Sequence, residues 1–137
     1  MSKKVFVDTG AFLALTNRAD QHHQNALNCL GNLQIQRVVF VTSNFILDET
    51  YTRLRSKAGL NAAIRFGEEI QLNRQLKIVT VEKSLETIAW EIFKKYHEQY
   101  FSYTDCTSFA IMKRKKLKEA FSFDKDFKIF GWTTHPS

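Results

Sequence analysis

Five carboxylates, Asp8, Glu49, Asp105, Asp124 and Asp126, are placed so that a single site could gather them. Asp8 closes the apolar run Val5-Phe6-Val7, and Asp124 closes Ala120-Phe121-Ser122-Phe123. Two parallel strands ending in these residues would present both carboxylates at one edge of a sheet, where open α/β sheets bind their ligands. Carboxylates gathered without a cation repel one another, and burial raises their pKa values further. A divalent cation resolves that conflict, and ligation by oxygen alone, without Cys or His, favours Mg2+ or Mn2+ over zinc. Such a centre polarises a phosphodiester and lowers the pKa of a bound water, which is the chemistry of hydrolysis. No residue stands out as an obligatory general base, since the water can lose its proton to a ligand carboxylate or to solvent.

Each acid also has a structural explanation. Asp8 can N-cap the helix that follows it. Glu49 can pair with Arg53 one turn on, a contact worth a few tenths of a kcal/mol. Ser102 and Asp105 fit a capping box, in which the acid at the third helical position reaches back to a free backbone N–H. Asp126 fits the first turn of a short helix.

The elements that must position these residues alternate between strand and helix patterns. Strands are expected at Val5–Val7, Arg37–Val41, Lys77–Val81 and Ala120–Phe123, with a last edge strand in Gly131–Thr134. Helices are expected from Ala11, over Asp20–Leu33, from Thr42 or Ser43, over Asn61–Leu72 and Leu85–Tyr96, and from Ser102. On the third of these, Glu49 falls between Phe45 and Ile46 and Asp48 lies to one side, so Glu49 is the acid that faces inward. Leu27, Leu72 and Phe93 are expected on buried stripes, and the adjacent His22 and His23 are expected to be solvated. Trp90 is either packing or an anchor at a partner surface. Strands separated by helices indicate right-handed crossovers, hence a three-layer α/β/α sandwich around a mostly parallel five-stranded sheet.

The chain of 137 residues fits a single domain, 1–137, with 44% apolar and 25% charged residues. No apolar run is long enough to cross a bilayer, and no signal peptide precedes the first strand, so no membrane partner and a cytoplasmic location are expected. Cys29 and Cys106, without CxxC spacing, read as reduced core thiols. A net charge of +6 with a pI near 9.4 attracts polyanions, and nucleic acid is the first candidate. Lys113-Arg114-Lys115-Lys116-Leu117-Lys118 concentrates that charge; such a run is usually a solvated face, and the expected acidic site beside it adds weight to contact with a phosphate backbone.

Four motifs in order carry a family resemblance: Val7-Asp8-Thr9-Gly10-Ala11, Ile46-Leu47-Asp48-Glu49-Thr50, Tyr103-Thr104-Asp105-Cys106 and Ser122-Phe123-Asp124-Lys125-Asp126-Phe127. Together they resemble the PIN domain, in the compact form of VapC-type toxin ribonucleases, over nearly the whole chain. The resemblance implies a five-stranded parallel α/β/α sandwich and metal-dependent endoribonuclease activity on RNA. It also implies frequent homodimers and, for the toxins of type II toxin–antitoxin pairs, a small antitoxin that blocks the site. Asp8, Glu49, Asp105 and Asp124 match the family's acidic quartet as catalytic and metal-binding residues. Asp126 matches a frequent extra ligand, and Thr9 matches the usual hydroxyl after the first acid. Ser122 and Cys106 stand where the family often has Thr and Ala. Thr9, Arg53, Lys113, Lys115 and Lys116 are the candidate substrate contacts.

Other classes are distinguishable. Stand-alone PIN nucleases of RNA processing share these motifs outside toxin systems. A non-catalytic RNA-binding PIN module would keep the basic surface and could lose the acids, yet all are present. A haloacid-dehalogenase-like phosphatase needs a second acid two residues after the first, where this chain has Gly10. The GxGxxG and GxxxxGK[ST] phosphate loops are also missing.

Overall fold

Strand β1 (Lys4–Val7) lies at the centre of the sheet because it offers no polar face to solvent: Val5, Phe6 and Val7 are all buried. Alternate residues of a strand point to opposite faces, so burial of all three requires helices on both sides. The computed structural model describes residues 3–137 and surrounds β1 with β2 (Val39–Ser43), β3 (Leu76–Val79), β4 (Glu119–Phe121) and β5 (Thr133–His135). The order is β3-β2-β1-β4-β5, and every pairing is parallel, so the sheet is wholly rather than mostly parallel.

Helices α1 (Thr9–Thr16) and α2 (His23–Ile35) connect β1 to β2, α3 (Asn44–Ala58) and α4 (Leu60–Leu72) connect β2 to β3, and α5 (Lys83–Lys95) and α6 (Tyr103–Lys115) connect β3 to β4. A 3-10 helix (Lys125–Phe130) leads from β4 to β5. Because β1 continues to β2 on one side and lies beside β4 on the other, the chain reverses direction across the sheet between β1 and β4. The C-terminal ends of those two strands therefore flank the switch-point crevice.

Local sequence sets the helix ends that matter. Ser43 caps α3, its Oγ accepting the Ile46 N–H at 3.1 Å, and so fixes the phase in which Glu49 leaves the helix. Gly59, at φ 99°, turns the chain directly from α3 into α4. The capping box of Ser102 and Asp105 starts α6, and Lys116, in the left-handed region at φ 57°, ends it.

The apolar interior is centred on Phe6, Phe109, Phe121 and Phe127, each almost fully buried. Phe109 meets the Phe101, Phe127 and Phe130 rings at 4.9, 5.1 and 4.7 Å. Cys29 and Cys106 are buried and unpaired, and burial pushes both thiols up to about 11. No helix among the described residues is long and apolar enough to cross a membrane.

Three expected core residues point outward. Ala63, Phe66 and Ile70 form the buried stripe of α4, and Leu72, about 200° around the helix from Ile70, is 82% exposed. Leu27 and Phe93 each lie about 100° off their buried stripes and are 41% exposed. Trp90 is half exposed and packs edge-on against Tyr103. Strand β3 starts at Leu76 and stops at Val79; Val81 is buried beyond it, its N–H donating to Asn44 Oδ1 at 2.7 Å.

Candidate active site

Asp8 occupies the N-cap position of α1 with extended backbone, yet its side chain makes no capping bond. It is joined instead to β4: its N–H donates to the Phe121 carbonyl at 3.1 Å, and its Oδ2 accepts the Ser122 hydroxyl at 3.0 Å. Ser122 Oγ in turn accepts the Asp124 N–H at 3.0 Å, and Asp124 Oδ1 accepts the Asp126 N–H at 2.9 Å, starting the 3-10 helix. One hydroxyl therefore sets the spacing between the first and last acids of the quartet. In the sequence Ser122 is visible only as a departure from the family's usual Thr; a small hydroxyl residue two positions before an acid at a strand end is the signal for its bridging role.

Glu49 enters from α3, half-buried, while its neighbour Asp48 is exposed, as the helical phase requires. It makes no ion pair with Arg53 among the described residues; Arg53 is exposed and lines the cleft with it. Asp105 enters from the first turn of α6. Its Oδ2 accepts the Ser102 N–H at 3.0 Å, and Ser102 Oγ accepts the Asp105 N–H at 3.0 Å, which leaves the second carboxylate oxygen uncommitted within the capping box.

These residues border one cleft of about 370 Å³ at the switch point, with Asp8, Glu49, Asp105 and Asp124 in its walls and Thr9, Gly10 and Phe123 beside them. Chemistry rather than size distinguishes it, since a larger concavity of about 520 Å³ lies between α3 and α4 among Tyr51, Leu60, Ala63 and Ile64. Carboxylate oxygens of Asp105, Asp124 and Asp126 lie within 4.8 Å of one another.

The site is electrostatically frustrated. Burial, followed by the charges of Asp105 and Asp124, pushes Asp8 up to about 7, against the opposing hydrogen bonds from Ser122 and the Thr9 backbone. Burial, with Asp124 and then Asp105, raises Asp126 to about 6. Asp105 is raised by burial first, with Asp124 and Glu49 adding to it and the Ser102 hydrogen bonds opposing it. The hydroxyl of Thr9 is buried without any hydrogen-bond partner among the described residues. Clustered oxygen donors that hold protons toward neutrality, beside an orphaned hydroxyl, suit a hard divalent cation such as Mg2+ or Mn2+.

The lysines are placed differently from the sequence expectation. Lys113, Lys115 and Lys116 close α6 at its far end, about 12 to 16 Å along the helix from Asp105. Lys113 Nζ lies 5.1 Å from the Phe130 ring centroid. The expected proximity of the basic run to the acids fails because α6 carries acid and cations at opposite ends. The histidines also depart from expectation. Neither is fully solvated: His22 stacks on Phe123, and His23 Nδ1 lies 2.7 Å from the Ala14 carbonyl oxygen.

A wholly parallel sheet with four carboxylates around a cleft at its switch point defines an open α/β domain with an acidic centre at its strand C-termini. The family profile described as PIN domain matches residues 5–132, and the chain belongs to that family. It is 35% identical over 128 residues to the 23S rRNA-specific endonuclease VapC20 of Mycobacterium tuberculosis, covering 93% of this chain and 95% of that protein. It is 33% identical over 126 residues to a VapC ribonuclease of Archaeoglobus fulgidus, covering 90% of this chain and 78% of that protein. The crystal structure of M. tuberculosis VapC20, described as a sarcin-ricin loop cleaving toxin, superposes with a TM-score of 0.87 at 34% identity, over 94% of this chain and 96% of that one. VapBC2 from Rickettsia felis shares the fold, with a TM-score of 0.72 at 10% identity, over 96% of this chain and 97% of that one.

Proposed function

We propose that the protein, acting as one domain over residues 1–137, is a metal-dependent endoribonuclease and the toxin of a type II toxin–antitoxin pair. RNA of the large ribosomal subunit is the first substrate to test. The observation that carries the reading is the convergence of Asp8, Glu49, Asp105 and Asp124 on one cleft at the strand C-termini. The likeness to VapC20 over 93% of the chain supports the substrate class. A small antitoxin protein covering the cleft and a homodimeric assembly are the expected partners.

Asp8, Glu49, Asp105 and Asp124, with Asp126 beside them, are the residues that would hold Mg2+ or Mn2+. Bound there, the cation would polarise the phosphoryl group and make a water nucleophilic near neutral pH. The protein's own part is positional. Ser122 holds one oxygen of Asp8 and the backbone of Asp124 in fixed relation. The capping box holds one oxygen of Asp105 and leaves the other free. Arg53 lines the cleft and supplies positive charge toward a phosphate at its mouth. Asp8 and Asp126 are raised toward neutrality only while the site lacks a cation; binding one would ionise both carboxyls and release the protons they hold.

The test is digestion of ribosomes and of total RNA by the wild-type protein and by Asp124→Asn, in Mg2+, in Mn2+ and in EDTA, with sequencing of the new RNA ends. Cleavage by the wild type alone, lost in EDTA, is the expected result. Equal cleavage by the variant or in EDTA would remove the mechanism.

A further inference from the structure

The segment between α1 and α2 places an imidazole against the wall of the acidic cleft. The His22 and Phe123 rings stack with centroids 4.3 Å apart and planes 8° from parallel. Phe123 lines the cleft with Asp8 and Asp124, and it stands in the chain between Ser122 and Asp124. The pair is held by its neighbours. Phe121, a fully buried ring, meets Phe123 edge-on at 6.4 Å. The His22 N–H donates to Asp20 Oδ1 at 2.8 Å, and His23 is tied to the Ala14 carbonyl. Both stacked rings nevertheless remain partly exposed, so the pair is a fixed aromatic surface and not part of the core.

An acidic cleft has a problem with a polyanionic substrate, because its own carboxylates oppose the approach of phosphate. Arg53 lines the cleft as a single cation against four carboxylates, and the basic run that carries more charge lies at the far end of α6. Stacking is attractive regardless of charge, and every base has a π-face to offer. Single-stranded RNA bases splayed from their neighbours commonly stack on aromatic or imidazole rings.

We propose that the His22–Phe123 pair is the surface on which the nucleobase flanking the scissile phosphate stacks, so that these two residues position the RNA strand over the carboxylates. The proposal rests on the nuclease reading above and adds to it a substrate-positioning role for two residues outside the acidic quartet. It makes the contact tolerant of base identity, since a ring reads the face of a base and not its edge.

The experiment uses an RNA oligonucleotide spanning a mapped cleavage site, intact or with an abasic nucleotide on one side or the other of the cleaved bond. The wild type is expected to lose about 5- to 150-fold in kcat/KM on one of the two abasic substrates, the range that base stacking contributes. His22→Ala and Phe123→Leu are expected to lose a comparable factor on the intact substrate and little more on the abasic one, and His22→Tyr to recover most of the loss. Equal losses by His22→Ala on intact and abasic RNA would mean that the pair only supports the Asp124 segment, and would overturn the proposal. Unchanged activity of His22→Ala would overturn it as well. Binding gives an independent readout in EDTA: 2-aminopurine at the flanking position should be quenched by the wild type and not by folded His22→Ala, and equal quenching counts against the pair. Absence of cleavage by the wild type refutes the nuclease reading itself, and the proposal with it, without any variant being needed.

Discussion

Replacing Asp8 by Asn should make the cation-free protein more stable at pH 8 while destroying its activity. The rise of the Asp8 carboxyl from 3.8 to about 7, at about 1.4 kcal/mol per pH unit, amounts to about 4 kcal/mol. The sign follows from proton binding. Between pH 3.8 and about 7 the folded protein keeps a proton on Asp8 that the unfolded chain has released. The folded state then binds more protons, so stability falls as pH rises across that window and the loss is complete above it. Asn is neutral at every pH and still offers an oxygen to the Ser122 hydroxyl, so it removes the charge and keeps the bond. Urea unfolding in EDTA from pH 4.5 to 8.5 should therefore show a wild type that weakens toward high pH. Asp8→Asn should show a flatter profile and a gain of at most about 4 kcal/mol at pH 8, with unchanged m. A residual slope from Asp105 and Asp126, raised in the same direction, should survive in the variant. Adding Mg2+ should stabilise the wild type more than the variant. Identical pH profiles, or a variant weaker than wild type at pH 8, would refute the account of a charge-frustrated site.

Ser122→Ala should cost about 1 to 3 kcal/mol, because it strips a hydrogen bond from buried Asp8 and orphans the Asp124 N–H. The same change should move the stability loss to higher pH, since that hydroxyl holds the Asp8 carboxyl down, and unfolding across pH checks both effects. Asp105→Asn should abolish cleavage and, in EDTA at pH 8, leave the urea midpoint unchanged or higher, as the amide oxygen can still accept the Ser102 N–H and the raised charge is gone. Asp105→Ala should lose cleavage and also about 1 kcal/mol of stability with the cap. Lys115→Glu with Lys116→Glu should leave cleavage of a short oligonucleotide unchanged but flatten the salt dependence of binding to long RNA, by about 0.7 in log–log slope for each phosphate no longer neutralised; an unchanged slope removes these lysines from the interface.

Order along the chain made the fold and the acid set readable, because β1, β2 and β4 are apolar runs that end at recognisable breaks. Asp8 and Asp124 follow strands, so topology alone brings them to one edge, and the helical phase alone turns Glu49 inward and Asp48 out. What stayed hidden depends on contacts between distant segments. Ser122 and Asp8 are 114 positions apart and meet only because β1 pairs with β4. The stacking of His22 on Phe123 crosses a similar span, and nothing in an adjacent histidine pair distinguishes a stacked ring from a solvated one. Leu27, Leu72 and Phe93 show that apolar type alone does not fix the phase of a buried stripe. For Lys113, Lys115 and Lys116 the reason is simpler: nearness to Asp105 in sequence is not nearness in space along a helix that rises about 1.5 Å per residue.

The length of α6 also explains how a protein of net charge +6 can carry an acidic centre. Its first turn holds Asp105 and its last holds Lys113, Arg114 and Lys115, so both ends complement the helix dipole. The basic run therefore has a structural justification whether or not RNA touches it. At the acidic end, the Ser102 hydrogen bonds favour the Asp105 anion, yet burial and the charges of Asp124 and Glu49 outweigh them and raise its pKa. Separation of about 12 to 16 Å exceeds the screening length of about 8 Å at physiological salt, so the cations do little to relieve the acids. The two ends of α6 are therefore electrostatically separate. On the proposed function, the lysine end would draw a polyanion toward the molecule without neutralising the cleft, and the cleft would keep the negative charge that holds a small, hard cation.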